Sequence, residues 1–187
     1  MRFTSEGVSL EYAVAGPRTG VPVVLIHGFP FSKEMWGPQL GPLSAEHYVI
    51  TYDVRGHGAS ERGDGQYSIE LFVDDLISLI DHLKLSRVVV CGLSMGGYIA
   101  LRAIERHPER FRGLILCDTR SEADNNEGKI RRAEQMKAVK HGSMRTFADN
   151  YLAMVFYKKT FAANPEAVEL IRRTIESADP IAAADPI

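Results

Sequence analysis

Hydrophobic positions along this chain follow two rhythms. Val8-Ser9-Leu10-Glu11-Tyr12-Ala13-Val14 loosely alternates, the pattern of a half-exposed edge strand. Val23-Val24-Leu25-Ile26 is instead a continuous apolar run bounded by Pro22 and Gly28, as a strand covered on both faces of a parallel sheet reads. Tyr48-Val49-Ile50-Thr51-Tyr52, Val88-Val89-Val90-Cys91 and Leu114-Ile115-Leu116-Cys117 repeat it. Between them the period lengthens. Ile69, Phe72, Val73, Leu76, Ile77, Ile80 and Leu83 fall at spacings of three and four, which predicts a helix over 68–83 with Asp74, Asp75, Ser78 and Asp81 on its polar face. A second helix is predicted over 94–107, ended by Pro108. Strand–helix–strand alternation of this kind predicts an α/β fold with a largely parallel sheet covered by helices.

After Asp118 the strands cease. Three helical stretches are predicted, at about 127–141, 143–157 and 165–178, the last capped by Asn164 with Pro165 in its first turn. The expected organisation is an α/β part over 1–119 and a helical part over 120–187.

Composition narrows the function classes. The chain has 187 residues, 45% of them hydrophobic, and a formal charge of −2. That length suits one domain of about 100–200 residues, with or without an appendage. No Lys/Arg stripe dominates any segment, so no nucleic-acid partner is expected. Runs such as Lys129-Ile130-Arg131-Arg132 read as a solvated helix face. The start carries no apolar run, and no cluster approaches the ~20 residues of a membrane span, so no membrane partner and a cytoplasmic location are expected. Cys91 and Cys117 sit in apolar runs and read as small reduced core residues, with a cross-strand disulfide as the alternative. No group of His, Cys or carboxylates has metal-ligand spacing.

Chemistry concentrates at three strand ends. Gly92-Leu93-Ser94-Met95-Gly96 lies where a strand meets a helix, a G-x-S-x-G turn that lifts a serine hydroxyl above a sheet. Glycines flank Ser94 because side chains there would collide with neighbouring backbone, and Gly97 would let the helix pack close to the strand. Ser94 is therefore the candidate nucleophile. His27-Gly28-Phe29-Pro30 follows an earlier strand, and in such folds that loop donates one oxyanion-hole amide while the residue after the nucleophile donates the other. Those amides would be the N–H groups of Phe29 and Met95. His27 reads as a brace beneath the loop, not as a base. Asp53-Val54-Arg55-Gly56-His57-Gly58-Ala59-Ser60 reads as a structural turn whose Asp53 and Arg55 hold neighbouring loops.

These three motifs, in this order and spacing, resemble the α/β-hydrolase superfamily, and within it the small carboxylesterases, over nearly the whole chain. The resemblance implies hydrolysis of a small-molecule ester through an acyl-serine, with no metal or organic cofactor. It implies that residues from about Arg120 are a helical cap. A serine at position 94 sets the chain apart from the dehalogenase and epoxide hydrolase branches, which place aspartate there.

The family pattern then departs. Its triads run serine, acid, histidine, with the histidine late in a longer chain, whereas no histidine follows His141 here. Asp118 stands where some members place the acid, against a structural role at the start of the cap. His57 and His141 are the histidines on plausible loops; His47, His82 and His107 read as surface residues. The expectation is thus an N-terminal portion of a serine carboxylesterase, with the C-terminal strands missing and acid and base supplied by the missing segment. Two alternatives stand beside it: a non-catalytic binding module of the same fold, and a half-molecule that completes its sheet with another chain. An exposed sheet edge beside the Cys117 strand motivates the second and would also allow self-association. Met136, Met144, Phe147, Met154 and Phe156 would line an apolar acyl pocket or serve as plain core.

Overall fold

In the computed structural model, residues 1–141 and 143–180 are described, without the side chains of 135, 136, 138, 140 and 141. Six strands form one sheet in the order β1-β2-β4-β3-β5-β6. They are β1 (Arg2–Ser5), β2 (Val8–Ala15), β3 (Pro22–Ile26), β4 (Tyr48–Tyr52), β5 (Val88–Leu93) and β6 (Phe111–Cys117). β4, β3, β5 and β6 run parallel, and β1 and β2 add antiparallel at one end. The largely parallel α/β sheet is as expected. The edge assignment changes: β2 is paired on both sides, and the short β1, too weakly patterned to be read, takes that edge.

The strand order explains where a site can form. The chain leaves β3 for β4 on one side and returns through α2 (Ile69–His82) to β5 on the other. Loops at the C-terminal ends of β3 and β5 therefore diverge and leave a crevice, the place where open α/β sheets bind ligands.

Helices cover both faces. α2 begins where the Ser68 hydroxyl accepts the Leu71 N–H at 3.1 Å. It buries Phe72, Val73, Leu76 and Ile80 of the predicted stripe together with Leu79 outside it, while Ile69 and Ile77 are half-buried. With α3 (Met95–Arg106) it closes the larger core over Val24, Ile26, Ile50, Tyr52, Val88 and Val90. α1 (Gly37–Ser44) covers the other face, where Val23, Leu25, Val49 and Cys91 pack with Trp36. Asp75 departs from its predicted polar face: it is 1% exposed because Arg55 reaches it from the β4 loop, at 2.7 and 3.0 Å. The β6 run also departs from a doubly covered strand, since Leu114, Ile115 and Leu116 stay 37%, 48% and 45% exposed on the sheet's other edge.

Beyond β6 come α4 (Asn126–His141), α5 (Met144–Val155), the short α6 (Thr160–Ala163) and α7 (Pro165–Glu176), with no strand among the described residues. Ser143 caps α5 through the Thr146 N–H, and Asn164 caps α7 through the Ala167 N–H. They form their own core of Val139, Phe147, Ala148, Leu152, Val168 and Ile175 around Phe31, which the β3 loop contributes. This second cluster lies against the crevice, because Phe29 and Leu93 also pack on it. Among the described residues no helix is long and apolar enough to cross a membrane.

Candidate active site

Ser94 sits on a backbone with φ 49° and ψ −112°, in the region that an L-residue seldom adopts. Such strain persists only where surrounding structure over-determines it. Here the Ser94 N–H donates to the Cys117 carbonyl at 3.0 Å, while the Ser94 carbonyl accepts the Thr119 hydroxyl at 2.8 Å and the Gly97 N–H at 2.8 Å. The end of β6 and the segment just beyond it thus clamp the turn from both sides of one residue. Unlike Ser68 and Ser143, Ser94 does not use its hydroxyl to cap its helix. No histidine or carboxylate of the described residues is hydrogen-bonded to it.

The flanking glycines are required by contact. A Cβ on Gly92 would lie 2.1 Å from the Gly96 carbonyl oxygen, and one on Gly96 would lie 2.4 Å from that of Ile26. Gly97 differs in detail from the expectation: its Cβ would meet the Thr119 side chain at 2.4 Å, so it admits the residue after β6 instead of the strand below. Gly28 brings the β3 loop against the nucleophile, since a Cβ there would stand 3.4 Å from Ser94 Cβ.

The loop after β3 is built around one peptide unit, whose carbonyl belongs to Gly28 and whose N–H belongs to Phe29. His27 Nε2 accepts the Val54 N–H at 3.0 Å, so the ring proton is on Nδ1, which donates to the Gly28 carbonyl at 2.9 Å. The Phe31 N–H donates to the same carbonyl at 2.9 Å. With its carbonyl held twice from one side, the Phe29 N–H points away, and no backbone carbonyl of the described residues takes it. The Phe29–Pro30 bond is cis. Met95 opens α3, so its N–H has no acceptor inside the helix. Neither candidate amide therefore has a backbone acceptor among the described residues. The helix start adds its positive dipole end.

Burial keeps the two nearby histidines neutral. His27 is pushed down to about 3, chiefly by burial and then by the neighbouring His57. His57 is lowered by burial as well; its Nδ1 faces the Arg55 carbonyl at 3.1 Å, and its buried Nε2 has no partner. Its ring lies 5.3 Å from that of His27 and 5.9 Å from that of Phe29. His57 thus packs on the loop after β3, and no hydrogen bond joins it to Ser94. The His141 and Met136 side chains lie outside the described residues. Asp118 is exposed, with φ 40°. Of the histidines read as surface residues, His82 is exposed, but His47 and His107 are half-buried, each with a buried ring nitrogen. Asp53 braces as expected: it accepts the Lys33 and Ala59 N–H groups at 2.7 and 3.0 Å and pairs with the Lys33 ammonium at 2.7 Å. Of the candidate acyl-pocket residues, Phe147 is buried, Met144 and Phe156 are partly buried beside it, and Met154 is 61% exposed.

Sequence reasoning did not find Tyr151. Its hydroxyl donates to the Phe29 carbonyl at 2.8 Å across 122 positions of chain. Burial raises its hydroxyl to about 12, so it remains a donor at neutral pH. Its place four positions after Phe147 was a signal of helix packing only, with nothing to show its distant partner. Among the described residues no group of three or more His, Cys, Asp or Glu side chains could hold a metal ion.

A family model described as alpha/beta hydrolase fold matches residues 21–157. The chain is 30% identical over 167 residues to 3-oxoadipate enol-lactonase 2 of Acinetobacter baylyi, covering 89% of this chain and 61% of that protein. It is 38% identical over 115 residues to a non-heme chloroperoxidase of Streptomyces lividans, covering 60% of this chain and 42% of that one. Among solved structures, a thermophilic esterase from Thermogutta terrifontis superposes with a TM-score of 0.89 at 36% identity, over 98% of this chain and 69% of that one. The enol-lactonase from Burkholderia xenovorans LB400 does so with 0.90 at 31%, over 98% and 70%. The chain spans 61% and 50% of the lengths of the two Acinetobacter enol-lactonases it matches.

Proposed function

The chain belongs to the α/β-hydrolase fold family, and from that premise we propose that Ser94 is the nucleophile of a serine hydrolase acting on small carboxylic esters, lactones included. The observation that carries this is the strained Ser94 turn, held by β6 and pressed against a loop whose Phe29 N–H is left open.

In the proposed reaction Ser94 Oγ attacks the carbonyl carbon, and the carbonyl electron pair moves to oxygen. The amides of Phe29 and Met95 receive that charge. A preorganised donor of this kind is worth about 3 kcal/mol in the transition state. Collapse expels the alcohol oxygen, which takes a proton, and leaves an acyl-serine; water then releases the acid and restores Ser94. The attack needs a proton acceptor. None of the described residues is hydrogen-bonded to Ser94 Oγ, so these residues alone are expected to give only residual catalysis, ~10³–10⁴ over water.

Residues 1–119 are the catalytic core in this reading, and 120–187 the cap. Phe147, Met144 and Phe156 pack in the cluster that Phe29 and Phe31 join, which supports an apolar wall for the acyl group. The enol-lactonase relatives favour a cyclic ester as one substrate form. The exposed Leu114, Ile115 and Leu116 of edge strand β6 support self-association, which sedimentation at monomer mass alone would remove.

Turnover of p-nitrophenyl acetate, butyrate and octanoate and of a γ-lactone by the protein and its Ser94→Ala variant tests the reading. Hydrolysis above background that disappears in the variant is expected. Turnover unchanged by Ser94→Ala would overturn it and leave a binding module of the same fold.

A further inference from the structure

The Phe29–Pro30 peptide has a single hydrogen-bonding group. Pro30 carries no N–H, so the Phe29 carbonyl is the only polar handle by which that plane can be held. Its partner is the Tyr151 hydroxyl of α5, at 2.8 Å. The preceding plane, which carries the proposed oxyanion donor, is fixed from its other end through the Gly28 carbonyl by His27 and the Phe31 N–H. Phe29 is the pivot between these two planes. Rotation about its backbone bonds would swing its N–H away from Ser94, and the two sets of bonds together remove that freedom.

We propose that Tyr151 is a positioning residue which makes the oxyanion donor of Phe29 depend on the docking of α5 over the sheet. This rests on the reading of Ser94 and Phe29 given above. The hydroxyl is set in place by packing: the Tyr151 ring stands edge-on to Phe31 at 5.8 Å and lies 5.6 Å from Phe147. Phe31 belongs to the same loop, so the ring touches the loop on one side and its hydroxyl grips it on another. Leu152, the next residue of α5, is fully buried in the same cluster. The bond is part-buried, and burial holds the hydroxyl protonated as its donor. A displacement of α5 would therefore release a peptide plane of the site without touching Ser94.

Two variants separate this role from plain packing. Y151F keeps the ring and deletes the donor, whereas I175V, at a buried α7 residue of the same cluster, loosens the packing and leaves the donor in place. The readouts are the rate of Ser94 labelling by a fluorophosphonate, the Phe31 amide exchange rate and the Tm. For Y151F we expect labelling slowed about 10-fold and Phe31 exchange accelerated by a similar factor, with Tm nearly unchanged. That is below the ~10²–10³-fold loss seen when an oxyanion donor is deleted outright, because here the donor is only freed. I175V should lower Tm and leave labelling, measured well below Tm, within twofold. Normal labelling of the unmodified protein with an unchanged rate in Y151F would overturn this proposal alone. Failure to label the unmodified protein would overturn the nucleophile reading; Phe31 exchange unaltered in Y151F would still show separately that the tether does not hold the loop.

Discussion

His27 accepts the Val54 N–H through Nε2 at 3.0 Å, a bond that exists only while the ring is neutral. Protonation at Nε2 would put two donors face to face in a site with no exposure to water. Folded His27 therefore titrates near 3, and unfolded histidine near 6.5. Between these values the unfolded state binds the extra proton, so stability is complete above about pH 6.5 and falls as pH drops, by about 1.4 kcal/mol per unit for one such group. His57, lowered by the same burial, adds in the same direction. Urea unfolding at pH 7 and pH 5 should show a loss of about 2 kcal/mol or more. The slope should flatten in His27→Gln. A midpoint independent of pH across this window would contradict the tautomer assigned here.

Arg55 and Asp75 form an ion pair from which water is almost wholly excluded, at 5% and 1% side-chain exposure. Removing one partner leaves the other buried and uncompensated, a cost of about 3–5 kcal/mol. Asp75→Ala should lose that much in denaturant titration. Arg55→Met combined with Asp75→Leu should recover a large part of it, because the apolar replacements leave no charge to bury. A loss under about 1 kcal/mol in the single variant would show that water reaches the pair.

Two glycines of the serine turn and one of α1 should respond differently to the same methyl group. Gly96→Ala places Cβ 2.4 Å from a backbone oxygen that cannot withdraw, and loss of the cooperative unfolding transition is expected. Gly92→Ala, at 2.1 Å, should behave alike. Gly41→Ala meets nothing within 4 Å, but Pro42 follows it and disfavours a helical residue with a Cβ at 41, so the variant should fold with a change within about 1 kcal/mol. Thermal melts of the three variants check this ordering.

Cys91 and Cys117 approach to 3.8 Å between sulfurs, and both are free thiols. Burial first, and Cys117 second, push the Cys91 thiol up to about 12. With almost no thiolate at pH 8, Cys91 should resist alkylation in the native protein. Mass spectrometry after brief iodoacetamide treatment should show Cys117 modified first, and both only in denaturant. Early modification of Cys91 would contradict the packing of β5 against α1.

Much of this was legible in the chain because it is local. Continuous apolar runs marked β3, β4 and β5, and spacings of three and four marked α2, since burial on two faces or one imposes those periods. The serine turn was legible through the spacing of its glycines, although only the Gly92 contact is local; Gly96 answers to Ile26 and Gly97 to Thr119. What escaped depends on partners far along the chain. Asp75 looked like a polar-face residue until Arg55 arrived from another loop, and Tyr151 looked like an aromatic in a helix until the Phe29 carbonyl met it. β1 escaped because four residues at an edge carry too little pattern. β6 misled in the other direction: its apolar run matched a covered strand, yet three of its side chains remain open.

The central claim is that Ser94 is a nucleophile facing the amides of Phe29 and Met95, and an active-site-directed fluorophosphonate tests it most directly. The protein would be incubated with excess reagent, digested and mapped by mass spectrometry, beside Ser94→Ala treated identically. One phosphonyl group on the peptide containing Ser94, absent from the variant, is the expected result. No adduct on Ser94, or equal labelling of both proteins at another residue, would contradict it.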